Sequence, residues 1–170
     1  MGKILINALL ILIIISFGAV VTEAGIPIEE VLEKGPNLIN EGRYRTVIEM
    51  IKAVPEGERS AISIQVLESF ANLKGWIMDR EVSRKQRWWE LHQQQIKASP
   101  DSQATLVLFN ILKDSDSRVR YYAVEVLRFV GDDRAITVLE ELSERDSHHS
   151  VRSMAKKALN EIKERSREIK

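Results

Sequence analysis

Cysteine is absent from the 170 residues, which excludes disulfides, thiol nucleophiles, iron–sulfur clusters, thiolate zinc sites and a lipid anchor carried on an acylated Cys. Net charge is absent too. Twenty-five basic side chains balance 25 acidic ones, so no bulk field recruits nucleic acid or an acidic substrate. Glycine and proline are scarce at 8 and 4 residues, and with 44% apolar and 29% charged residues this is a folded, globular composition rather than a disordered or fibrous one. One domain is the expectation for this length. No Gly-rich phosphate loop, nucleophile elbow or paired-carboxylate motif occurs. Sustained period-2 alternation is missing after residue 25, which leaves an all-α chain.

The N-terminus carries the one long apolar run. Met1-Gly-Lys3 supplies a positive charge, Ile4 to Val21 follow without any charge, and Thr22-Glu-Ala24 then places tolerated residues around a cut after Ala24. Residues 1–24 read as a secretory signal peptide, with an uncleaved membrane anchor as the alternative because spanning takes ~20 apolar residues. Either reading places residues 25–170 outside the cytoplasm, secreted, periplasmic or anchored. Loss of Lys3 and Glu23 together would leave the remainder neutral.

Beyond residue 25, Pro27, Pro36, Pro55 and Pro100 are read as punctuation between helices. Helical i, i+3, i+4, i+7 spacing links Tyr44, Val47, Ile48 and Ile51, and again Ile62, Val66, Leu67 and Phe70. Further on, Leu106, Phe109 and Leu112 continue the pattern. Val119, Ala123, Val126, Leu127 and Val130 form the next stripe, then Leu139 and Leu142, then Val151, Ala155, Ala158, Leu159 and Ile162.

Repetition is the most informative feature. Asp114, Val119, Arg120, Ala123 and Leu127 recur 32 residues later as Asp146, Val151, Arg152, Ala155 and Leu159. Each preceding helix matches at an offset of 30 (Leu106 with Ile136, Phe109 with Leu139, Leu112 with Leu142), so two residues are inserted before Val151. An offset of 60 aligns Val47, Ile48 and Ile51 with Val107, Leu108 and Ile111 as a weaker, earlier copy.

The D-x-D-x-x-V-R-x-x-A-x-x-x-L pattern, with a Gly131-Asp-Asp exit, resembles a HEAT-like repeat of the short form also found in phycobilin lyase subunits. The resemblance is specific over residues 101–160, weak over 43–74 and poor over 75–100. It implies helical hairpins stacked into a short α-solenoid whose second helices line a concave surface, with Arg120 and Arg152 each reaching the Asp of a neighbouring unit. Gly42-Arg-Tyr44 ahead of a helix resembles instead the tetratricopeptide arrangement. The expected organisation is a signal segment 1–24, an N-terminal cap 25–42, a weak repeat 43–74, a degenerate repeat or inserted helix 75–100, a repeat 101–131, and a repeat with a capping helix 132–170.

Physical roles follow for the signature positions. Asp114 and Asp146 stand before helices, where a carboxylate accepts orphan N–H groups. Ala123 and Ala155 stand where helices approach closely, and Val119, Leu127, Val151 and Leu159 form the buried stripe. With that stripe inward, Tyr121, Glu125 and Arg128 turn outward, and their mates are Ser153, Lys157 and Asn160. Tyr121, Tyr122, Glu125, Arg128, Lys157 and Asn160 are therefore the candidate partner-binding residues.

Candidates for chemistry are few. His148 and His149 lie in the lengthened turn and read as a polar cap, because adjacent imidazoles rarely converge on one ion. His92 reads as a structural histidine on an apolar stripe near Trp88 or Trp89. Arg84-Lys-Gln-Arg87-Trp88-Trp89 combines basic and aromatic residues as an interfacial membrane anchor would; the alternative is a core Trp beside a solvated face. The tail from Lys156 to Lys170 reads as an exposed capping helix.

The expected function is a non-enzymatic scaffold binding a protein or peptide, with no catalytic residue, no cofactor, no metal, no nucleic acid and no small-molecule substrate. Membrane contact would run through residues 4–21 if uncleaved or through Trp88 and Trp89. The alternatives are a lyase-type or chaperone-like subunit acting on a cofactor-bearing partner, which the phycobilin-lyase resemblance permits, and a membrane-surface adaptor.

Overall fold

The computed structural model describes residues 25–78 and 100–168. The signal segment, Trp88, Trp89, His92 and most of the 75–100 stretch lie outside the described residues. Among the described residues there are seven α-helices and no strand: α1 (Ile28–Asn40), α2 (Tyr44–Ala53), α3 (Ile62–Met78), α4 (Ser102–Ile111), α5 (Ser117–Val130), α6 (Ala135–Arg145) and α7 (His149–Glu168). A 3-10 turn over Glu56–Glu58 links α2 to α3. No helix among them is long and apolar enough to cross a membrane.

Helix α1 begins after Pro27, and Glu29 and Glu30 in its first turn suit the positive end of the helix dipole. It ends at Gly42, whose φ of 79° is left-handed. There Gly42 N–H donates to Ile39 O at 2.9 Å and Arg43 N–H to Leu38 O at 2.7 Å, a Schellman closure that demands a residue without Cβ strain. Pro36 corrects the punctuation reading, because it lies inside α1 rather than between helices. One backbone donor is lost there. Tertiary packing holds the segment helical nonetheless, for Gly35 is pressed so closely on Leu67 that a Cβ would stand 2.5 Å from Leu67 Cδ2.

Two hairpins follow the N-terminal helices. Helices α4 and α5 pair, α6 and α7 pair, and the second helices α5 and α7 stack on one another. On the N-terminal side α3 packs against α4 and reaches α5, while α1 rather than α2 lies along α4. The arrangement is a short helical solenoid. Its continuous core runs through Val31, Val47, Phe70, Leu108, Leu127, Leu139 and Ile162, and no single hairpin could bury both of its faces alone.

Several stripe residues are less buried than expected, with Ile48, Ile62, Phe109 and Leu142 only half-buried. Leu106 is 47% exposed, and the buried side of α4 is Ala104, Thr105, Val107, Leu108 and Ile111. Contact with α1, α3 and α5 widens that face beyond the narrow stripe an i, i+3 pattern picks out. Leu159 is only half-buried, whereas its mate Leu127 is fully so, because no further repeat is stacked beyond α7 among the described residues.

Candidate interaction surface

Both hairpins turn through an aspartate. Asp114 Oδ1 accepts the Asp116 N–H at 2.8 Å and Asp146 Oδ1 accepts the His148 N–H at 2.8 Å, the short Asx turn that this side chain favours. Contrary to the expectation from its place ahead of the helix, Asp114 does not cap α5. The cap is Asp116, whose Oδ1 accepts the Arg118 N–H at 2.8 Å. The Arg118 guanidinium, despite partial burial, holds the Asp116 carboxyl below its ordinary range. In the second turn His148 stands where Asp116 does in the first, exposed along with His149.

Standing outside the helix frees Asp114 and Asp146 for the neighbouring unit. Arg120 donates through Nε to Asp146 Oδ2 at 2.8 Å and through Nη2 to Oδ1 at 3.0 Å. The two side chains are 12% and 3% exposed. Arg120 Nη1 is meanwhile anchored on the carbonyls of Asp114 and Ser115 at 2.9 and 3.0 Å. Burial pushes the Asp146 carboxyl up, but the hydrogen bonds from Arg120 and from His148 N–H, with the Arg120 charge, outweigh it and leave it below its ordinary value. Asp114 takes its cation from a residue that repeat spacing does not reveal. Lys74 Nζ of α3 donates to both of its oxygens, at 2.7 and 2.6 Å, with side chains 8% and 0% exposed. A lysine directly after Phe70-Ala71-Asn72-Leu73, on a largely buried helix, was the available signal.

Arg152 closes the series differently. Its Nη1 donates to Asp146 O at 2.7 Å and Ser147 O at 3.1 Å, reproducing the anchoring of Arg120. Among the described residues no carboxylate meets its other edge.

Position along α5 decides what the outward residues do. Arg120, Val124 and Arg128 form an i, i+4, i+8 row, and both ends of the row are bonded to the second repeat, Arg120 to Asp146 and Arg128 Nη1 to Glu161 Oε1 at 3.1 Å. Val124 between them is fully buried. Arg128 is therefore a seam residue and not the solvent-facing contact expected of it. Its side chain is 17% exposed, its guanidinium lies 4.2 Å from the Phe129 ring centroid, and its buried Nε meets no acceptor among the described residues. The expectation failed because α5 has a helix on either side, so two faces are covered rather than one. On α7 the corresponding row is Arg152, Lys156 and Asn160, and the latter two are exposed.

Tyr121, Tyr122 and Glu125 are half-buried rather than fully outward. The two tyrosine rings meet edge to face, with centroids 5.5 Å apart and an 85° interplanar angle. Burial pushes the Tyr121 phenol above its ordinary value, nearby Glu125 adds to this, and Arg128 opposes it. Their counterparts on α7, Ser153 and Lys157, are exposed. Val119, Ala123, Val151 and Ala155 are fully buried.

The basic tail of α7 is more engaged than an exposed cap. Arg165 Nη1 donates to Arg128 O at 3.0 Å and Nη2 to Gly131 O, Ser166 Oγ bonds the Asp133 carboxylate, and Lys163 Nζ reaches Glu140 Oε1 at 2.7 Å. The Arg165 bonds satisfy carbonyls at and just beyond the end of α5 that have no helical partner. Among the described residues, no three His, Asp or Glu side chains are grouped to hold a metal ion.

No curated protein and no solved structure matches the chain. The family model of HEAT repeats matches residues 94–160, a span that contains the α4–α5 hairpin, α6, the Arg120–Asp146 rung and most of α7. Over those residues this chain is a HEAT-like repeat protein.

Proposed function

We propose that this chain is a non-enzymatic, extracytoplasmic scaffold that holds a protein or peptide partner on its second-helix face. HEAT repeats generally serve as protein-interaction scaffolds. The observation that carries the reading is the edge-to-face Tyr121–Tyr122 pair beside Glu125 on α5. Half-buried tyrosines present rigid, amphipathic contact area that loses little conformational entropy on binding. Exposed Lys157 and Asn160 on α7 extend the same side with a cation and an amide.

The test is affinity capture from the envelope or exported fraction of producing cells, followed by measurement of the identified partner on a charge-reversed face. Glu125→Lys with Lys157→Glu keeps the packing of both helices while inverting the pattern a partner meets. Binding should weaken at least tenfold with the melting temperature nearly unchanged, and unaltered affinity removes this face. Export rests on the Met1–Ala24 pattern. N-terminal sequencing of exported protein should begin at Gly25, whereas an intact Met1 resisting carbonate extraction would replace cleavage by an anchor.

A further inference from the structure

Arg152 and Lys156 continue onto α7 the row through which α5 is bonded to the second repeat. Arg120 shows what that seam binds: a turn aspartate gripped by Nε and Nη2 while Nη1 is tied to two carbonyls. Arg152 has the same tether, at 2.7 and 3.1 Å, and its Nε–Nη2 edge meets no carboxylate among the described residues. Holding the guanidinium in place beforehand lowers the entropy lost on binding, and a planar fork matches a carboxylate through two parallel bonds.

The surroundings select the guest. Where Val124 provides an apolar, fully buried centre for the inner seam, Lys156 provides an exposed cation one helical turn beyond Arg152. An apolar repeat surface is thus a poor match, and a second negative charge beside the first is a good one. His149, one turn before Arg152, lies nearby on the same helix and is exposed as well.

We propose that Arg152 and Lys156 form an end-on docking point for an acidic turn of a partner protein, its aspartate taking on Arg152 the place that Asp146 takes on Arg120. This rests on the scaffold reading only in that the guest is a protein; the surface is distinct from the tyrosine face.

The test uses the full chain in a zwitterionic detergent and, as probe, the blocked peptide Asp-Ser-Asp-Ser, the sequence of residues 114–117, with Asn-Ser-Asn-Ser as control. Titration followed by NMR should shift the Arg152 Nε–Hε resonance and leave that of Arg120 in place. Affinity should fall at least tenfold in Arg152→Gln and be kept in Arg145→Gln. A smaller loss, equal binding of the control, or no binding of either peptide overturns the proposal. Should Arg152→Gln disturb the turn it anchors, Lys156→Gln carries the test: a loss of threefold or more is expected, and anything less overturns the docking point. Charge reversal at Glu125 and Lys157 tests the tyrosine face separately, so failure of one surface leaves the other readable.

Discussion

Val124 and Lys156 occupy the same position in consecutive repeats, 32 residues apart, and differ in what lies outside them. Val124 is fully buried between two residues that bond the second repeat, and Lys156 is exposed on the last helix. A polar outer face on a repeat disfavours the stacking of a further unit on it.

Exchanging those characters should show it. Val124→Lys places an unpaired ammonium in the seam, at a cost of several kcal/mol, and the helical circular dichroism should melt far earlier than in the parent. Lys156→Val should leave the fold intact and introduce concentration-dependent self-association, visible by sedimentation. A monomeric Lys156→Val at all concentrations would show that the charge does not terminate the stack.

The Arg120–Asp146 rung predicts a specific acid response. The folded Asp146 carboxyl lies below its ordinary value of 3.8, so its contribution is complete above that value and is lost as pH falls through the lower, folded one. Arg120→Met should destabilise the protein by roughly 1.5–3 kcal/mol at neutral pH, the scale of hydrogen bonds to charged groups. It should also flatten the loss of stability below about pH 4. Urea unfolding at several pH values reads both effects, and parallel pH curves for parent and variant would contradict the assignment.

At the other end of the ladder, Lys74 and Asp114 are both buried. Removing one partner strands the other's charge, typically a loss of about 3–5 kcal/mol. Lys74→Met should therefore be strongly destabilising. Adding Asp114→Asn, which keeps an acceptor for the Asp116 N–H, should recover part of that loss. Additive losses in the double variant, measured by urea denaturation, would mean the two groups are not coupled.

Gly131 joins the two repeats with no room for a side chain. A Cβ there would collide with Leu127 O and stand 3.1 Å from Ile162 Cδ1 and 3.3 Å from Ala135 Cβ. Gly131→Ala should cost about 1–3 kcal/mol by overpacking, seen as a lowered melting temperature. A neutral substitution would show that α5 and α6 can separate at no cost.

Much of this was legible in the chain itself. The absence of cysteine and of strand alternation, the 3.6-residue spacing and the recurrence of Asp114, Val119, Arg120, Ala123 and Leu127 determine an all-helical protein with two stacked HEAT-like units, because buried-face periodicity and turn chemistry are local properties. The second role of each outward position was not legible. Arg128 and Tyr121 sit at equally outward sequence positions, yet Arg128 meets Glu161 33 residues away while Tyr121 stays at the half-open surface. Lys74 likewise carries no repeat signature, since its partner lies 40 residues distant, and Pro36 is helical despite the usual meaning of proline. Periodicity reports which side of a helix is apolar. Only the packing of α7 on α5 and of α1 on α3 decided which polar side chains are spent on joining repeats and which, like Arg152, are left with an open edge, because ion pairing and burial depend on distances that the chain sets only when folded.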